Sequence, residues 1–238
     1  MLIHPLKPTI KRFLNIFIFN SKLSILRSLQ YERFFSLRLY GKVLDFGGGE
    51  FSNYRDLIHK NNNGVQYESV NISSDMYPTY LIKANSSIPV DDNSYDFVFS
   101  LNTLEHVFDI DFALAEMLRL LKPGGTLIIS VPFLFRIHGC PDDYHRQTSS
   151  WWIQKLKNLK MQTIQIEPLV WDFLISRFAL AEGVGISSRL FKVFFGFYGL
   201  LYAYIKSRNS GERYDDDTSK YLSNVATGYL ILAKKSNP

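Results

Sequence analysis

Histidine and aspartate side chains are concentrated near residue 140 of this 238-residue chain, where His138, Asp142, Asp143, His145 and Arg146 lie close together. Histidine titrates near neutral pH and can take a proton from a hydroxyl group. We therefore predict His145 or His138 as a general base. Asp143 or Asp142 would orient that base or bind hydroxyl groups of a substrate, and Arg146 would bind a phosphate group or pair with an aspartate. The open alternative is a loop held by its own Asp–Arg and Asp–His pairs. The spacing matches no recognised metal site, so we predict no metal.

A run of three glycines, residues 47–49, follows a short apolar segment that contains Asp45. Such an uncharged Val/Leu/Phe segment is typical of a buried parallel strand. Glycine permits positive φ and a close approach of the backbone, and the residues from 51 onward favour a helix with Ser52 or Asn53 near its cap. Strand, glycine turn and helix together are typical of a nucleotide-binding α/β sheet. Ser52 replaces the third glycine of the dinucleotide pattern, which disfavours NAD, and a glycine turn without a ligand remains open.

The elements that position these residues follow from periodicity and capping signals. The sequence predicts strands at 65–72, 79–83, 95–100, 126–131, 161–166 and 224–234, and helices at 21–40, 109–121 and 149–159. Because the carboxyl ends of strands line the crevice of an open α/β sheet, Ser100, Leu101 and Asn102 should lie beside a bound ligand.

Several segments resemble the class I S-adenosylmethionine-dependent methyltransferases. Asp45, Gly47 and Gly49 form the D-x-G-x-G pattern of that family's first motif. Residues 101–107 (L-N-T-L-E-H-V) and 120–132 (L-L-K-P-G-G-T-L-I-I-S-V-P) are similar to the ends of its fourth and fifth strands. The resemblance implies an α/β, Rossmann-like, seven-stranded methyltransferase sheet that is mostly parallel, with an antiparallel last strand and flanking helices.

The resemblance also implies a cofactor, S-adenosyl-L-methionine, and the residues that would bind it. Its methionine part would lie against the glycine turn (Gly47, Gly48 and Gly49), which Asp45 supports. The ribose would lie at the end of the second strand, where Asn71 and Ile72 replace the usual acidic residue, and Asn85 would lie near the adenine. His106 would either contact the cofactor or join a hydrogen-bond network at the start of a helix.

The segment H-G-C-P-D-D-Y-H-R-Q-T, residues 138–148, resembles a subgroup found in bacterial surface-polysaccharide gene neighbourhoods. We therefore predict in-line O-methylation of a sugar, glycan or lipid-linked intermediate. One alternative is a methyltransferase that acts on a lipophilic small molecule. Another is a non-catalytic methyltransferase-like binding or scaffold protein, which Asn71 and Ala84 favour because acidic residues are usual at those positions.

The chain should comprise an N-terminal helical extension (1–40) and a methyltransferase domain (41–238). An aromatic-rich helical insertion at about 169–218 precedes the last strand, and its 193–205 apolar run is shorter than a membrane span of about 20 residues. This run suits an interfacial helix, an acceptor pocket, a homodimer contact or ordinary core. Residues 207–218 are predicted to be a polar loop.

Charge and cysteine content bear on partners and location. The net charge is +5, and the basic excess lies before the glycine turn among bulky apolar residues. That combination suits an anionic membrane surface better than a nucleic acid, for which we found no motif. The single cysteine, Cys140, excludes an internal disulfide and favours a reducing compartment. We predict a cytoplasmic protein that binds a small-molecule or glycan acceptor, with peripheral contact at the inner face of the membrane as an open alternative.

Overall fold

The structure is a computed structural model that describes residues 1–62, 64–139, 142–181, 186–206 and 211–237. Cys140 therefore lies outside the described residues. One sheet is built from β1 (Lys42–Phe46), β2 (Gln66–Asn71), β3 (Tyr80–Leu81), β4 (Tyr95–Leu101), β5 (Leu121–Pro132), β6 (Met161–Leu169) and β7 (Gly228–Lys235).

The strand order across the sheet is β3-β2-β1-β4-β5-β7-β6. The first five strands in this order, β3, β2, β1, β4 and β5, pair in parallel with their neighbours. Strand β7 is antiparallel to both β5 and β6. The predicted seven-stranded sheet with an antiparallel last strand is confirmed. Val43 and Leu44 are fully buried, as expected for a strand whose two faces are both covered by helices.

Helices cover both faces of the sheet. They are α1 (Ile10–Phe13), α2 (Ile25–Phe34), α3 (Arg55–Asn61), α4 (Ile110–Leu120), α5 (Ser149–Asn158), α6 (Phe173–Leu180), α7 (Ile186–Lys206) and α8 (Asp216–Ser223). A π-helical segment, Leu14–Phe19, continues α1, and 3₁₀ turns occupy Ser74–Met76 and Leu104–His106. The predicted helices at 21–40, 109–121 and 149–159 contain α2, α4 and α5.

Apolar side chains form a layer on each face of the sheet. On one face, Leu114 of α4 belongs to the cluster that includes Val98 of β4. On the other face, Leu29 of α2 and Ile175 of α6 belong to the cluster that includes Phe99 of β4. The carboxyl ends of the parallel strands are left to the loops that follow them, which is where ligands bind in this class of sheet.

Two local predictions were wrong. The helix after the glycine turn begins at Arg55 rather than near residue 51, because residues 50–54 form turns in which the Ser52 hydroxyl accepts a hydrogen bond from the Gly49 N–H at 3.0 Å. Neither Ser52 nor Asn53 caps α3, whose N-cap position is Tyr54.

The predicted polar loop at 207–218 was also too long. Residues 216–218 form the first turn of α8, where Asp215 accepts a hydrogen bond from the Thr218 N–H at 2.8 Å. This is the usual N-cap arrangement, and Asp215 satisfies a backbone donor that the helix leaves unpaired. Residues 207–210 lie outside the described part of the chain.

The N-terminal segment is tied to the edge of the sheet and to α7. The Ile3 N–H donates to the Ile166 carbonyl on β6 at 2.8 Å. Phe17 packs edge-to-face on Trp171 with ring centroids 4.9 Å apart, and the Trp171 indole N–H donates to the Gly196 carbonyl of α7 at 3.0 Å. None of the described helices is long and apolar enough to cross a membrane. The domain boundaries at residue 40 and at about 169–218 stay predictions.

Gly199 allows α7 to approach the end of β6 closely. A Cβ there would collide with the Asp172 carboxyl group and the Trp171 indole nitrogen. We expect Gly199→Ala to lower the free energy of unfolding by about 1–3 kcal/mol, because overpacking displaces the helix. Denaturant unfolding would measure this, with Gly211→Ala as the control because a Cβ at Gly211 meets only ordinary contact at 3.8 Å. Equal stability of the two variants would contradict this packing.

Candidate active site

Asp45 lies in β1, one residue before the strand ends, and its side chain is fully buried. The hydroxyl groups of Tyr54 and Tyr67 donate to Asp45 Oδ2 at 2.9 and 2.7 Å. Asp45 Oδ1 has no hydrogen-bond partner within the described ranges. Burial raises the pKa of Asp45 to about 7, although the two tyrosine hydrogen bonds oppose the rise. A cation bound nearby would favour the charged carboxylate.

The three glycines after β1 are each required by a protein neighbour. Gly47 has a φ of +98°, and a Cβ there would collide with the Thr103 side chain. A Cβ at Gly48 would collide with the Asp45 carboxyl group, and one at Gly49 would collide with the backbone carbonyl of Met76. The glycine turn is therefore packed against protein, and its glycines do not by themselves require a ligand.

Asn71, at the end of β2, holds the glycine turn in place. Its Nδ2 atom donates to the Gly47 and Gly48 carbonyls at 2.8 and 3.2 Å, and its Oδ1 accepts from the Ser73 N–H at 3.0 Å. Ile72, the next residue, is 58% exposed. Asn85 lies in an exposed turn between β3 and β4 with a φ of +55°. Of these residues, Asn71 alone bonds to the glycine turn.

Beside this turn, the end of β4 carries polar atoms without partners. The Ser100 hydroxyl is fully buried and unpaired among the described residues, whereas its neighbour Leu101 contributes to the apolar cluster under α2. Asn102 has a φ of +53°, and its Nδ2 atom donates to Gln30 Oε1 at 2.6 Å. That bond leaves Asn102 Oδ1 and Gln30 Nε2 without partners among the described residues, where the buried Ser130 hydroxyl on β5 is unpaired as well.

The sequence did not single out Gln30, which is fully buried in α2. A signal was present, because Gln30 lies four residues after Leu26, on the side of α2 whose Leu26 and Leu29 both belong to the core. A long polar side chain beside such an apolar stripe indicates a buried hydrogen-bond partner. Here that partner is Asn102.

Asp143 fastens the segment after β5, of which residues 133–139 and 142–148 are described and which we call the 133–148 loop. Its carboxylate accepts hydrogen bonds from both terminal nitrogens of the Arg146 guanidinium group. Asp143 Oδ2 also accepts a hydrogen bond from the His138 N–H at 2.9 Å. Burial alone would raise the pKa of Asp143, but the Arg146 and His138 hydrogen bonds hold it below its usual value. Burial lowers the pKa of His138, which favours its neutral form. Asp143 therefore positions the loop through its pair with Arg146. This is the arrangement that the alternative of a loop held by its own Asp–Arg and Asp–His pairs predicts.

His145 faces the 3₁₀ turn that follows β4. Its Nε2 atom lies 3.0 Å from the Val107 carbonyl and 3.2 Å from the Phe108 carbonyl, so Nε2 carries the proton that is donated to them. The remaining nitrogen, Nδ1, is then the one that can accept a proton. His145 also lines a small cavity together with Glu105 and Trp152.

His106 and Glu105 lie side by side on that 3₁₀ turn. The His106 Nδ1 atom is 2.5 Å from the Asp142 carbonyl, which links the turn to the 133–148 loop. Glu105 is 1% exposed, and neither carboxylate oxygen has a hydrogen-bond partner in the described chain. Burial raises the pKa of Glu105 to about 8, against a lowering effect from its own backbone and from Arg146.

The raised pKa of Asp45 gives a testable pH dependence. Because the folded-state pKa of about 7 exceeds the ordinary value of 3.8, the carboxyl group contributes stability that is complete below pH 4 and is lost as the pH rises through 7. We expect Asp45→Asn to gain stability relative to the wild type over this range, by on the order of 4 kcal/mol. Urea unfolding at a series of pH values measures the difference. Asp56→Asn, on the exposed side of α3, is the control, and a pH-independent difference for Asp45→Asn would contradict the expectation.

Comparisons with known proteins bear on the fold and on the segment from β1 to β5. Residues 44–129, which run from β1 into β5, match a family described as "Methyltransferase domain". Over 49 residues the chain is 45% identical to the ubiquinone/menaquinone biosynthesis C-methyltransferase UbiE of Shewanella piezotolerans, covering 20% of this chain and 20% of that protein. The chain thus spans about a fifth of the length of the curated relatives that it matches.

Two solved structures share the fold. One is phosphoethanolamine N-methyltransferase 2 of Haemonchus contortus in complex with S-adenosyl-L-methionine (TM-score 0.53, 18% identity, 89% of this chain and 52% of that chain). The other is a SAM-dependent methyltransferase from Archaeoglobus fulgidus (TM-score 0.52, 16% identity, 89% of this chain and 92% of that chain). This likeness establishes a Rossmann-like methyltransferase fold. Together with the match of residues 44–129, it supports a class I methyltransferase.

Proposed function

We propose that this chain is a methyltransferase that uses S-adenosyl-L-methionine. The observation that carries the proposal is the match of residues 44–129 to a methyltransferase domain, on a sheet of the corresponding fold. Three buried atoms that have no hydrogen-bond partner in the described part of the chain support it, namely Asp45 Oδ1, Asn102 Oδ1 and Gln30 Nε2. A buried polar atom without a partner costs about 1–3 kcal/mol, so several near the carboxyl ends of β1 and β4 favour a polar ligand there.

The cofactor, when bound, supplies an electrophilic methyl group on a sulfonium sulfur. Asp45 would contribute a buried negative charge, whose ionised form a cationic ligand favours. Asn102 would offer an acceptor and Gln30 a donor, and their mutual hydrogen bond would keep both side chains oriented. Asn71 would act indirectly, because its amide group holds the carbonyls of the glycine turn.

For the acceptor, we propose a hydroxyl group of a sugar, glycan or lipid-linked intermediate of polysaccharide biosynthesis. The resemblance of residues 138–148 to that subgroup supports this choice. His145 would be the base, because its Nε2–H is held by two backbone carbonyls and Nδ1 is left to receive the hydroxyl proton. His138 is the second candidate, since burial favours its neutral form, and Asp143 would position the loop that carries both.

Two other functions are each favoured by a particular observation. The local identity to UbiE favours a lipophilic small molecule as the methyl acceptor. The packing of the glycine turn against Thr103 and Met76 favours a non-catalytic, methyltransferase-like binding protein. Ligand titration separates these alternatives from the main proposal.

Calorimetry with S-adenosylhomocysteine and NAD tests the cofactor. We expect S-adenosylhomocysteine to bind and NAD not to bind. Asp45→Asn should weaken the binding of S-adenosyl-L-methionine, whose sulfonium is cationic, about tenfold, the cost of removing roughly 1.4 kcal/mol of charge interaction, and Asp56→Asn should not. In a methyl-transfer assay on glycan and lipid extracts, His145→Ala should keep this affinity but lose turnover. Absence of S-adenosylhomocysteine binding would favour the alternative of a non-catalytic binding protein. Full turnover by the His145→Ala variant would show that His145 is not the base.

We further propose that the protein is cytoplasmic and contacts an anionic membrane surface through α7. Apolar side chains are exposed along this helix, namely Leu190, Phe191, Phe194, Phe197, Tyr198, Leu201, Tyr204 and Ile205. Leu14, Ile18 and Phe19 are exposed on the π-helical segment, which packs beside α7. Lys11, Lys22 and Arg189 are exposed nearby in sequence, and neither residues 10–31 nor 186–206 contain an acidic residue. Exposed aromatic groups with basic flanks are typical of interfacial helices.

Flotation with vesicles that contain anionic lipid tests this surface. The double variant Phe191→Ser/Phe194→Ser should lower binding at least about tenfold, because each buried Phe side chain is worth roughly 1.5–3 kcal/mol. Tyr221→Ser, which alters an exposed aromatic residue on α8, is the control and should bind like the wild type. If the wild type does not float but forms a homodimer that the double variant disrupts, α7 is a dimer contact and the membrane proposal is wrong.

A further inference from the structure

Three potential metal ligands converge between the 3₁₀ turn after β4 and the 133–148 loop. The Nε2 atoms of His106 and His138 lie 3.8 and 3.9 Å from Glu105 Oε1. The two imidazole rings are edge-to-face with centroids 5.0 Å apart. One ligand atom from each of the three residues lies within 4.8 Å of the others.

Glu105 is the residue that most needs a partner. Its side chain is 1% exposed, and both carboxylate oxygens lack hydrogen bonds within the described chain. A buried carboxylate without partners is costly, and the distances to His106 and His138 are too long for hydrogen bonds. The nearby Arg146 guanidinium is already engaged by Asp143. The Glu105 carboxylate is therefore available to a ligand that carries positive charge.

Both histidines turn the same nitrogen toward Glu105. The His106 Nδ1 atom pairs with the Asp142 carbonyl, and the His138 Nδ1 atom lies 3.3 Å from the Arg136 carbonyl and 3.4 Å from Asp143 Oδ2. A proton on each Nδ1 satisfies these oxygens, which at His138 lie nearer than the donor Arg146 Nη2 at 3.5 Å, and leaves the Nε2 lone pair free. Metal-binding histidines are held in this way, with the outer N–H donated to a carbonyl or carboxylate.

We propose that Glu105, His106 and His138 bind one divalent transition-metal ion. Two imidazole nitrogens and a carboxylate oxygen suit Zn²⁺, Mn²⁺, Fe²⁺ or Co²⁺ better than Mg²⁺ or Ca²⁺, which prefer oxygen ligands. Ligands on a tetrahedral zinc ion are roughly 3.4 Å apart, so the site must contract on binding by about 0.5–1.4 Å. His138 can supply this movement because it lies on a loop and its side chain is 35% exposed.

Three protein ligands leave at least one coordination position open. Glu105 follows Asn102 by three residues, so the ion would lie close to the end of β4 where we place the cofactor. A metal ion lowers the pKa of a bound hydroxyl group, which would activate a sugar hydroxyl for methylation. This role rests on the proposed methyltransferase function, whereas the binding of the ion does not.

Calorimetric titration of the full chain, after chelator treatment, tests the site with Zn²⁺, Mn²⁺ and Co²⁺, and with Mg²⁺ for comparison. We expect one transition-metal ion per chain. Glu105→Gln and His138→Ala should each weaken binding at least about tenfold, because each removes a ligand. His59→Ala, an exposed histidine on α3, should bind like the wild type. The metal ion should also raise the melting temperature of the wild type but not that of Glu105→Gln.

Glu105→Gln keeps the size of the side chain and removes its ionisable carboxyl group, so it should fold, and circular dichroism checks this. Equal affinity in the wild type and both ligand variants would overturn the proposal. Absence of binding at millimolar metal would overturn it as well. S-adenosylhomocysteine binding, measured on the same samples without metal, shows separately whether the methyltransferase proposal holds.

Discussion

The buried carboxyl group of Asp45 is the constraint around which the carboxyl edge of the sheet is built. It accepts hydrogen bonds from the hydroxyl groups of Tyr54, which precedes α3, and of Tyr67 on β2. These two hydrogen bonds fix the start of α3 and β2 relative to β1. The same carboxyl group occupies the space that a side chain at position 48 would need, which makes Gly48 obligatory. One of its oxygens stays unpaired within the described chain, at a cost in stability. Groups that are retained at such a cost are concentrated at functional sites.

Elements with local signals could be predicted from the sequence almost to the residue. Asp109 and Thr148 each accept a backbone N–H of the helix that they start, so the beginnings of α4 and α5 are encoded within a few positions. The start of α3 could not be predicted in this way, because Ser52 binds back to Gly49 instead of capping the helix. The need for glycine at position 47 could not be predicted either, because Thr103, which fills the space beside it, follows β4 and is 56 residues away in sequence.

The candidate site shows the same division between local and distant information. The end of β4 was predicted to line the crevice, and Ser100 and Asn102 lie at that end. Gln30 comes from the N-terminal extension, and only the folded chain brings it to Asn102. Likewise, the L-E-H-V motif shows that Glu105 and His106 are neighbours, but not that Glu105 is buried without a partner. The sequence spacing contains no metal pattern because His138 joins them from another loop.

The packed glycine turn and the unpaired polar atoms point in opposite directions, and their energetics can be compared. Contacts of Gly47 and Gly49 with Thr103 and Met76 favour a binding protein only weakly, because an enzyme can be packed as tightly at this turn without a penalty. Buried polar atoms without partners at Asn102, Gln30 and Glu105 each cost free energy in the unliganded chain. A protein whose only role was to be a scaffold would gain stability by replacing them with apolar groups of the same shape. Their presence is accounted for if ligands complete these interactions, which favours a site that binds a polar cofactor and a cation over a fold that serves only as a scaffold.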